Sequence, residues 1–260
     1  AVGEAVTEHL RESGVTLHLG EEVVRLRGEG GHVAGLVCES GAELAVDAAL
    51  VGIGIRPNTA LIDGTPVELG ASGAVATDAH GRTSVDGVYA AGDVAEMPHM
   101  VTGEPVWDPL GLPANRAGRA IGATVGGNPT QVGSVAGTAM VKAFELECGR
   151  TGLLDHDCAR EAGFDPVSET ITAGSRSGYY PGASETTVTL VADRDTGRLL
   201  GGSIVGTDRA AIRIDTVATA LGAEMTVEEL ERQDLGYAPP FSPVWDPVLV
   251  AAKVLNGSLS

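Results

Sequence analysis

The sequence predicts an α/β chain that passes into an α+β unit in its second half. Three observations carry this expectation. A helical face of Val2, Ala5, Val6, His9 and Leu10, closed by Gly14, leads through short glycine-punctuated runs to a continuous apolar run at 48–53. A second run ends in Gly92-Asp93 and is followed by a helical segment rich in small residues. From about residue 131 the pattern changes, with alternating strand-like runs first and helical runs last.

Taken in order, residues 15–19, 23–27, 33–38 and 43–46 read as short strands, with Gly28 to Gly31 as a turn. The run 48–53 reads as a further strand and ends in Gly54-Ile55-Arg56-Pro57-Asn58. A helix, a strand, a meander and a return strand look like the second half of a dinucleotide-binding domain. The chain opens on Ala1, already inside that helix, and reads as a fragment of such a domain. Residues 75–77 and 88–91 read as short strands leading to Gly92-Asp93, and a proline-containing loop enters a helix near Pro113. That helix, from Ala114 to about Val125, carries Ala117, Gly118, Gly122 and Ala123, small residues that admit a second backbone or a flat ligand. Beyond it, 137–146, 169–172, 186–192 and 199–205 read as strands, with Asp195-Thr196-Gly197 as a hairpin turn. Residues 153–163, 210–220, 227–232 and 247–255 read as helices. The expected domains are 1–60, 61–130 and 131–260.

Composition excludes several classes. At 260 residues and 43% hydrophobic, the chain has enough apolar material for sizeable cores, and no run reaches the ~18 apolar residues of a membrane helix. Thirty-five acidic residues against 17 basic give a net charge of −18, which argues against nucleic acid or an anionic membrane as partner. Of the basic residues only Lys142 and Lys253 are lysine. An acidic, lysine-poor surface suits a halophilic protein, since high salt screens its self-repulsion. Cys38, Cys148 and Cys158 show no CxxC pairing, as expected of a cytoplasmic protein in a reducing compartment.

No GxGxxG opens a helix, and there is neither a P-loop nor an HExxH. Cys148, His156 and Cys158 fit no zinc spacing, so no metal is expected. The informative stretch is Thr83-Ser84-Val85-Asp86-Gly87-Val88-Tyr89-Ala90-Ala91-Gly92-Asp93. A strand ending in Gly-Asp sets a carboxylate at the carboxyl edge of a sheet, where open α/β domains bind ligands. Gly92 removes the side chain that would block approach, and Asp93 can accept hydrogen bonds from a sugar hydroxyl. The same dipeptide also ends strands as plain turn chemistry.

That stretch resembles the second FAD-binding motif of the pyridine nucleotide–disulfide oxidoreductase superfamily. The resemblance implies that Gly92 and Asp93 contact the flavin ribityl chain. It also implies that the helix entered at Pro113 and Ala114 points its positive end at the flavin ring, where it would stabilise negative charge. Val51-Gly52-Ile53-Gly54-Ile55-Arg56-Pro57-Asn58 is similar to the segment closing the family's nicotinamide-dinucleotide domain, which implies that Gly54 admits NAD(P)H.

Among nine aromatic residues, Tyr237, Phe241 and Trp245 fall at intervals of four within a run broken by prolines, so they do not form one helical stripe. Tyr179-Tyr180 precede Pro181-Gly182. Tyr237-Ala238-Pro239-Pro240-Phe241-Ser242 looks like the carboxyl-terminal motif of the coenzyme A-disulfide reductase and NADH oxidase branch, and Gly137-Thr138 onward looks like the opening of its dimerisation domain. Glutathione- and lipoamide-type relatives place a His-Pro pair here, whereas this chain has no histidine after His156. The resemblance implies that Tyr237 reaches the partner subunit's active site, with Asn115 and Tyr180 near substrate. No basic residue stands near Trp245 in the sequence, where coenzyme A-specific enzymes are expected to carry one. The whole implies a homodimeric flavoprotein passing electrons from NAD(P)H through FAD to a disulfide or dioxygen. The alternative is a non-catalytic dimerisation fragment without the redox cysteine and glycine-rich loops.

Overall fold

The computed structural model describes residues 2–259. By its contacts the chain divides into two compact units, Thr7–Arg56 and the remainder. Helix α1 (Val2–Glu12) opens the chain; Val2, Ala5 and Val6 at its start belong to the larger unit and pack there with Leu146, Cys148 and Val205.

The smaller unit is a three-stranded antiparallel meander of β1 (Val23–Glu29), β2 (His32–Cys38) and β3 (Glu43–Ala45). The turn joining β1 to β2 is Gly30-Gly31, and both residues have positive φ, which glycine adopts without steric cost. Two strands expected from the sequence are not formed. Residues 15–19 are irregular, and so are 48–53, where Leu50 is fully exposed and Val51 and Ile53 are exposed as well. An apolar run becomes an inner strand only when neighbouring strands satisfy its backbone and bury both faces, and no described strand pairs with this one.

In the larger unit, residues 57–110 are mostly turns and isolated bridges. The expected strands at 75–77 and 88–91 are reduced to single bridges, Val75 with Leu69 and Ala95, and Tyr89 with Arg82. What orders this stretch is a buried carboxylate. Glu96 Oε1 accepts from the Ser72 hydroxyl at 2.6 Å and the Ser72 N–H at 3.0 Å, clamping the 70–74 turn to the backbone that follows Asp93. A Cβ at Gly70 would overlap the Glu96 carboxylate. Gly70→Ala is therefore expected to cost about 1–3 kcal/mol of stability, as overpacking does, read from a denaturant midpoint. No loss would show that the Glu96 side chain can swing aside.

Strands β4 (Met97–Pro98) and β5 (Pro105–Val106) form a small ribbon, followed by α2 (Gly111–Val125). Its inner face, Ala117 and Ala120, packs with Met97, Val132 and Val135. His99 is buried beside this ribbon, and its Nδ1 accepts from the Val101 and Thr102 N–H groups. Burial lowers its pKa, so folding favours the neutral ring. The unfolded chain takes up a proton near pH 6.5, so stability is full above about 6.5 and falls as pH drops toward the folded-state value. His99→Asn, which retains an acceptor, is expected to flatten the loss of thermal midpoint seen between about pH 7 and pH 5 in the parent. An unchanged slope would remove His99 as its cause.

The carboxyl-terminal half is a five-stranded antiparallel sheet in the order β6-β7-β10-β9-β8. The strands are β6 (Ala139–Ala143), β7 (Leu146–Gly152), β8 (Pro166–Gly174), β9 (Glu185–Asp193) and β10 (Leu199–Gly206). The central β10 is buried along its whole length. Between β7 and β8 lies α3 (His156–Glu161), capped by Asp155. After β10 come α4 (Ile214–Gly222), α5 (Val227–Glu231) with a Thr226/Glu229 capping box, and α6 (Pro247–Ser258). Helices α4 and α6 press Ile214, Val217, Leu221, Val248 and Leu255 onto Val188, Leu190, Leu200 and Ile204, which form the main core. Gly149 permits the close approach of α4, since a Cβ there would come within 2.9 Å of Ile214 Cβ. The expected helix at 210–220 is a short 3₁₀ turn at Ala211–Arg213 followed by α4. In the β9–β10 hairpin the organising carboxylate is the buried Asp193, which accepts from the N–H and hydroxyl of Thr196. Among the described residues, no helix is long and apolar enough to cross a membrane.

Candidate functional site

The sequence-derived residues fall into two clusters held by different elements. Around α2, Gly92 has φ +76° and begins a 3₁₀ turn, Gly92–Val94, that packs against the start of the helix. A Cβ on Gly92 would lie 3.4 Å from the Ala114 Cβ, so glycine serves both the left-handed backbone and the close packing. The Asp93 side chain is exposed, while its backbone carbonyl accepts from Trp107 Nε1 at 2.8 Å. The start of α2 has no side-chain cap; Leu110 occupies the cap position with extended backbone. Its first N–H groups and dipole are thus available to an anion. Pro113 lies in the first turn, Asn115 is exposed one turn in, and Gly118 and Gly122 have open space where a side chain would stand.

A cleft of about 660 Å³ opens beside this helix start, lined by Leu110, Pro113 and Arg116 from α2 and its entry and by Thr138 and Met140 across from them. Asp108 also lines it. Burial pushes its carboxyl pKa up, and the charge of Arg150 offsets part of that. Gly54 belongs to the smaller unit, with φ +90° and open space about its Cα.

The second cluster gathers the loop after β8, the turn after β10 and the segment before α6. Tyr237 is 49% exposed and directly precedes a tight turn in which Phe241 and Ser242 both donate their N–H groups to the Ala238 carbonyl. Arg209 stacks over the Phe241 ring at 4.9 Å and Arg176 over Tyr180 at 5.9 Å. Lys253 Nζ sits 5.4 Å from the Trp245 ring centre. The absence of a basic residue near Trp245 in the sequence is therefore corrected by the fold: two turns of α6 bring Lys253 back over the ring.

Sequence reasoning missed the charged frame beneath these aromatics. Arg176 forms a two-point pair with Asp208, whose Oδ2 also accepts from the Ser175 hydroxyl at 2.7 Å. Burial alone would raise the Asp208 pKa, but hydrogen bonds from Arg176 and Ser175 and the charges of Arg176 and Arg213 outweigh it and hold the carboxyl below its usual range. Arg213 is 8% exposed and donates from Nε to Asp246 Oδ2 at 2.8 Å. The available signal was an arginine inside the apolar run 210–220, because a buried cation requires a partner.

None of the three cysteines stands in either cluster. Cys38 is buried in β2, Cys158 is exposed on α3, and Cys148 is buried in β7, where burial raises its thiol pKa. That shift is opposite to what an attacking thiolate needs. Among the described residues, no group of three or more His, Cys, Asp or Glu could hold a metal.

Family models agree with this architecture on both sides of α2. The model for pyridine nucleotide-disulphide oxidoreductases matches residues 1–109, and the model for the dimerisation domain of the same family matches 138–247. The chain belongs to the pyridine nucleotide-disulphide oxidoreductase family. Among its relatives, it is 38% identical to the NAD(P)H sulfur oxidoreductase (CoA-dependent) of Pyrococcus furiosus over 98% of this chain and 57% of that protein. It is 40% identical to the NAD(P)H coenzyme A polysulfide/persulfide reductase of Pyrococcus horikoshii, over 98% of this chain and 56% of that one. Among solved structures, a NAD-dependent persulfide reductase from A. fulgidus superposes with a TM-score of 0.91 at 34% identity, covering 97% of this chain and 46% of that chain. The chain thus spans about half the length of the curated relatives it matches.

Proposed function

We propose that this chain forms part of a homodimeric flavoprotein that carries electrons from NAD(P)H through FAD to a sulfur–sulfur bond, with dioxygen as the alternative acceptor. The observation that carries the reading is the left-handed Gly92 turn, which packs close to Ala114 at the uncapped start of α2 and is followed by the exposed Asp93. These residues fit FAD. Asp93 has a free acceptor for ribityl hydroxyls, the helix start offers N–H groups and a positive dipole end, and Gly118 and Gly122 leave room for a flat ring. FAD when bound takes a hydride from NAD(P)H and releases two electrons. Toward it, Asp93 and Gly92 bind, and Pro113 and Ala114 set the helix end; Gly54, in the smaller unit, leaves its own backbone open to a nicotinamide. Tyr237 donates its hydroxyl to the sulfur substrate in the neighbouring subunit, with Asn115 and Tyr180 at the substrate's side.

A sulfur acceptor is favoured because the P. furiosus, P. horikoshii and A. fulgidus proteins are each named for sulfur, polysulfide or persulfide reduction. Lys253 over Trp245 and Arg209 over Phe241 are cations that would meet the phosphates of a thiol such as coenzyme A, which supports a substrate of that class. Residues 1–60 are the carboxyl-terminal half of an NAD(P)-binding domain, 61–130 the carboxyl-terminal part of an FAD-binding domain and 131–260 the dimerisation domain, in a cytoplasmic protein. The net charge of −18 is an adaptation to high salt. The thermal midpoint is accordingly expected to rise between about 0.1 M and about 2 M KCl, as the Debye length shrinks. A fall would remove the halophilic reading.

The test uses the protein as its gene encodes it, incubated with FAD in molar salt, desalted and examined for flavin absorbance. Retained yellow colour that NADH bleaches and polysulfide restores supports the reading. Restoration by dioxygen alone favours the oxidase. A colourless dimer overturns the flavin site and leaves the non-catalytic dimerisation fragment.

A further inference from the structure

The geometry points to Arg213 as the positioning residue of the Tyr237 segment, its buried guanidinium tying three loops into the frame that sets where Tyr237 lies. The inference rests on the reading of Tyr237 as the group that serves a neighbouring active site. Arg213 Nη2 donates to the Ser175 carbonyl at 2.6 Å and to the Phe241 carbonyl at 3.2 Å. Nη1 donates to the Arg209 carbonyl at 3.0 Å, and Nε to the Asp246 carboxylate at 2.8 Å. One planar fork thereby addresses the loop after β8, the turn after β10, the 238–242 turn and the cap of α6.

Tyr237 is coupled to this frame through stiff backbone. The turn that follows it is closed on the Ala238 carbonyl, and Pro239 and Pro240 fix φ within it. Its far end is the part that the frame holds. The Phe241 carbonyl is on Arg213, and the Ser242 hydroxyl donates to Asp246 Oδ2 at 3.1 Å. Asp246 in turn caps α6 by accepting from the Val248 N–H at 2.9 Å. Asp208 and Arg176 staple the loop after β8 independently, so Arg213 is not needed merely to close that loop. A lysine here would keep the charge, yet it lacks the fork and cannot hold all these acceptors in one plane.

The test is a double-mutant cycle in the FAD-loaded protein, with polysulfide as acceptor. Arg213→Lys and Tyr237→Phe are each expected to lower kcat about tenfold, the scale of one charge-assisted hydrogen bond. Neither should change the single-turnover rate of flavin reduction by NADH, or the dimer mass. The double variant should be no slower than the slower single one, because both changes act on the same group. Multiplying effects, or an Arg213→Lys variant whose flavin reduction slows as much as its turnover, would show a general structural role and overturn the inference. Should Arg213→Lys fail to fold, Asp246→Asn, which keeps an acceptor for the Val248 N–H, takes its place in the same cycle. If Tyr237→Phe lowers kcat and the frame variant does not, the inference about Arg213 falls alone. If Tyr237→Phe changes nothing, the reading of Tyr237 falls and the role of Arg213 with it.

Discussion

Replacing Asp93 by Ala is expected to strip the protein of FAD while leaving it folded. The side chain is exposed, and the contact that anchors the turn, from Trp107 Nε1, goes to the Asp93 backbone carbonyl, which the substitution spares. Stability should therefore stay within about 0.5 kcal/mol of the parent, as for most surface changes. FAD retained after desalting should drop by at least about tenfold, since hydrogen bonds to a charged acceptor contribute on the order of 1.5–3 kcal/mol. Gly92→Val should lose FAD too, for a different reason. Its φ of +76° strains a β-branched residue, and the new side chain would crowd Ala114. If Asp93→Ala binds FAD with the parent's affinity, the carboxylate is not the ribityl contact and the flavin assignment fails.

The largest stability loss is expected at Asp246→Ala. The change leaves the Arg213 guanidinium without its carboxylate in a buried position and removes the cap of α6. Breaking one side of a buried pair costs about 3–5 kcal/mol, and losing an N-cap about 1 kcal/mol more. Asp246→Asn, which preserves the cap, should fall between Ala and the parent in denaturant midpoint. A loss below about 1 kcal/mol for Asp246→Ala would mean that the pair behaves as a surface ion pair does.

How far the fold could be read in advance depended on whether an element was stabilised locally. Strands β8, β9 and β10 and helices α5 and α6 lie at the runs expected from the sequence, 169–172, 186–192, 199–205, 227–232 and 247–255, because strand alternation and helical patterning act over a few residues. Residues 48–53 carried as strong an apolar pattern and formed no strand, since a strand needs partners and apolarity supplies none. The hairpin before β10 was legible from Asp195-Thr196-Gly197, yet the carboxylate that holds it is Asp193, which its burial reveals.

The candidate site divides in the same way. The sequence by itself singled out Gly92-Asp93 ahead of a helix entered near Pro113, and set Tyr237 in a run that prolines keep from being one helix, because backbone preference and local chemistry are properties of neighbours along the chain. Only the tertiary structure decided which charges meet. Arg213 finds Asp246 33 positions away, Arg176 finds Asp208 32 positions away, and Lys253 returns over Trp245. The free energy of a buried charge depends on what surrounds it in space, so no pattern along the chain could assign those partners.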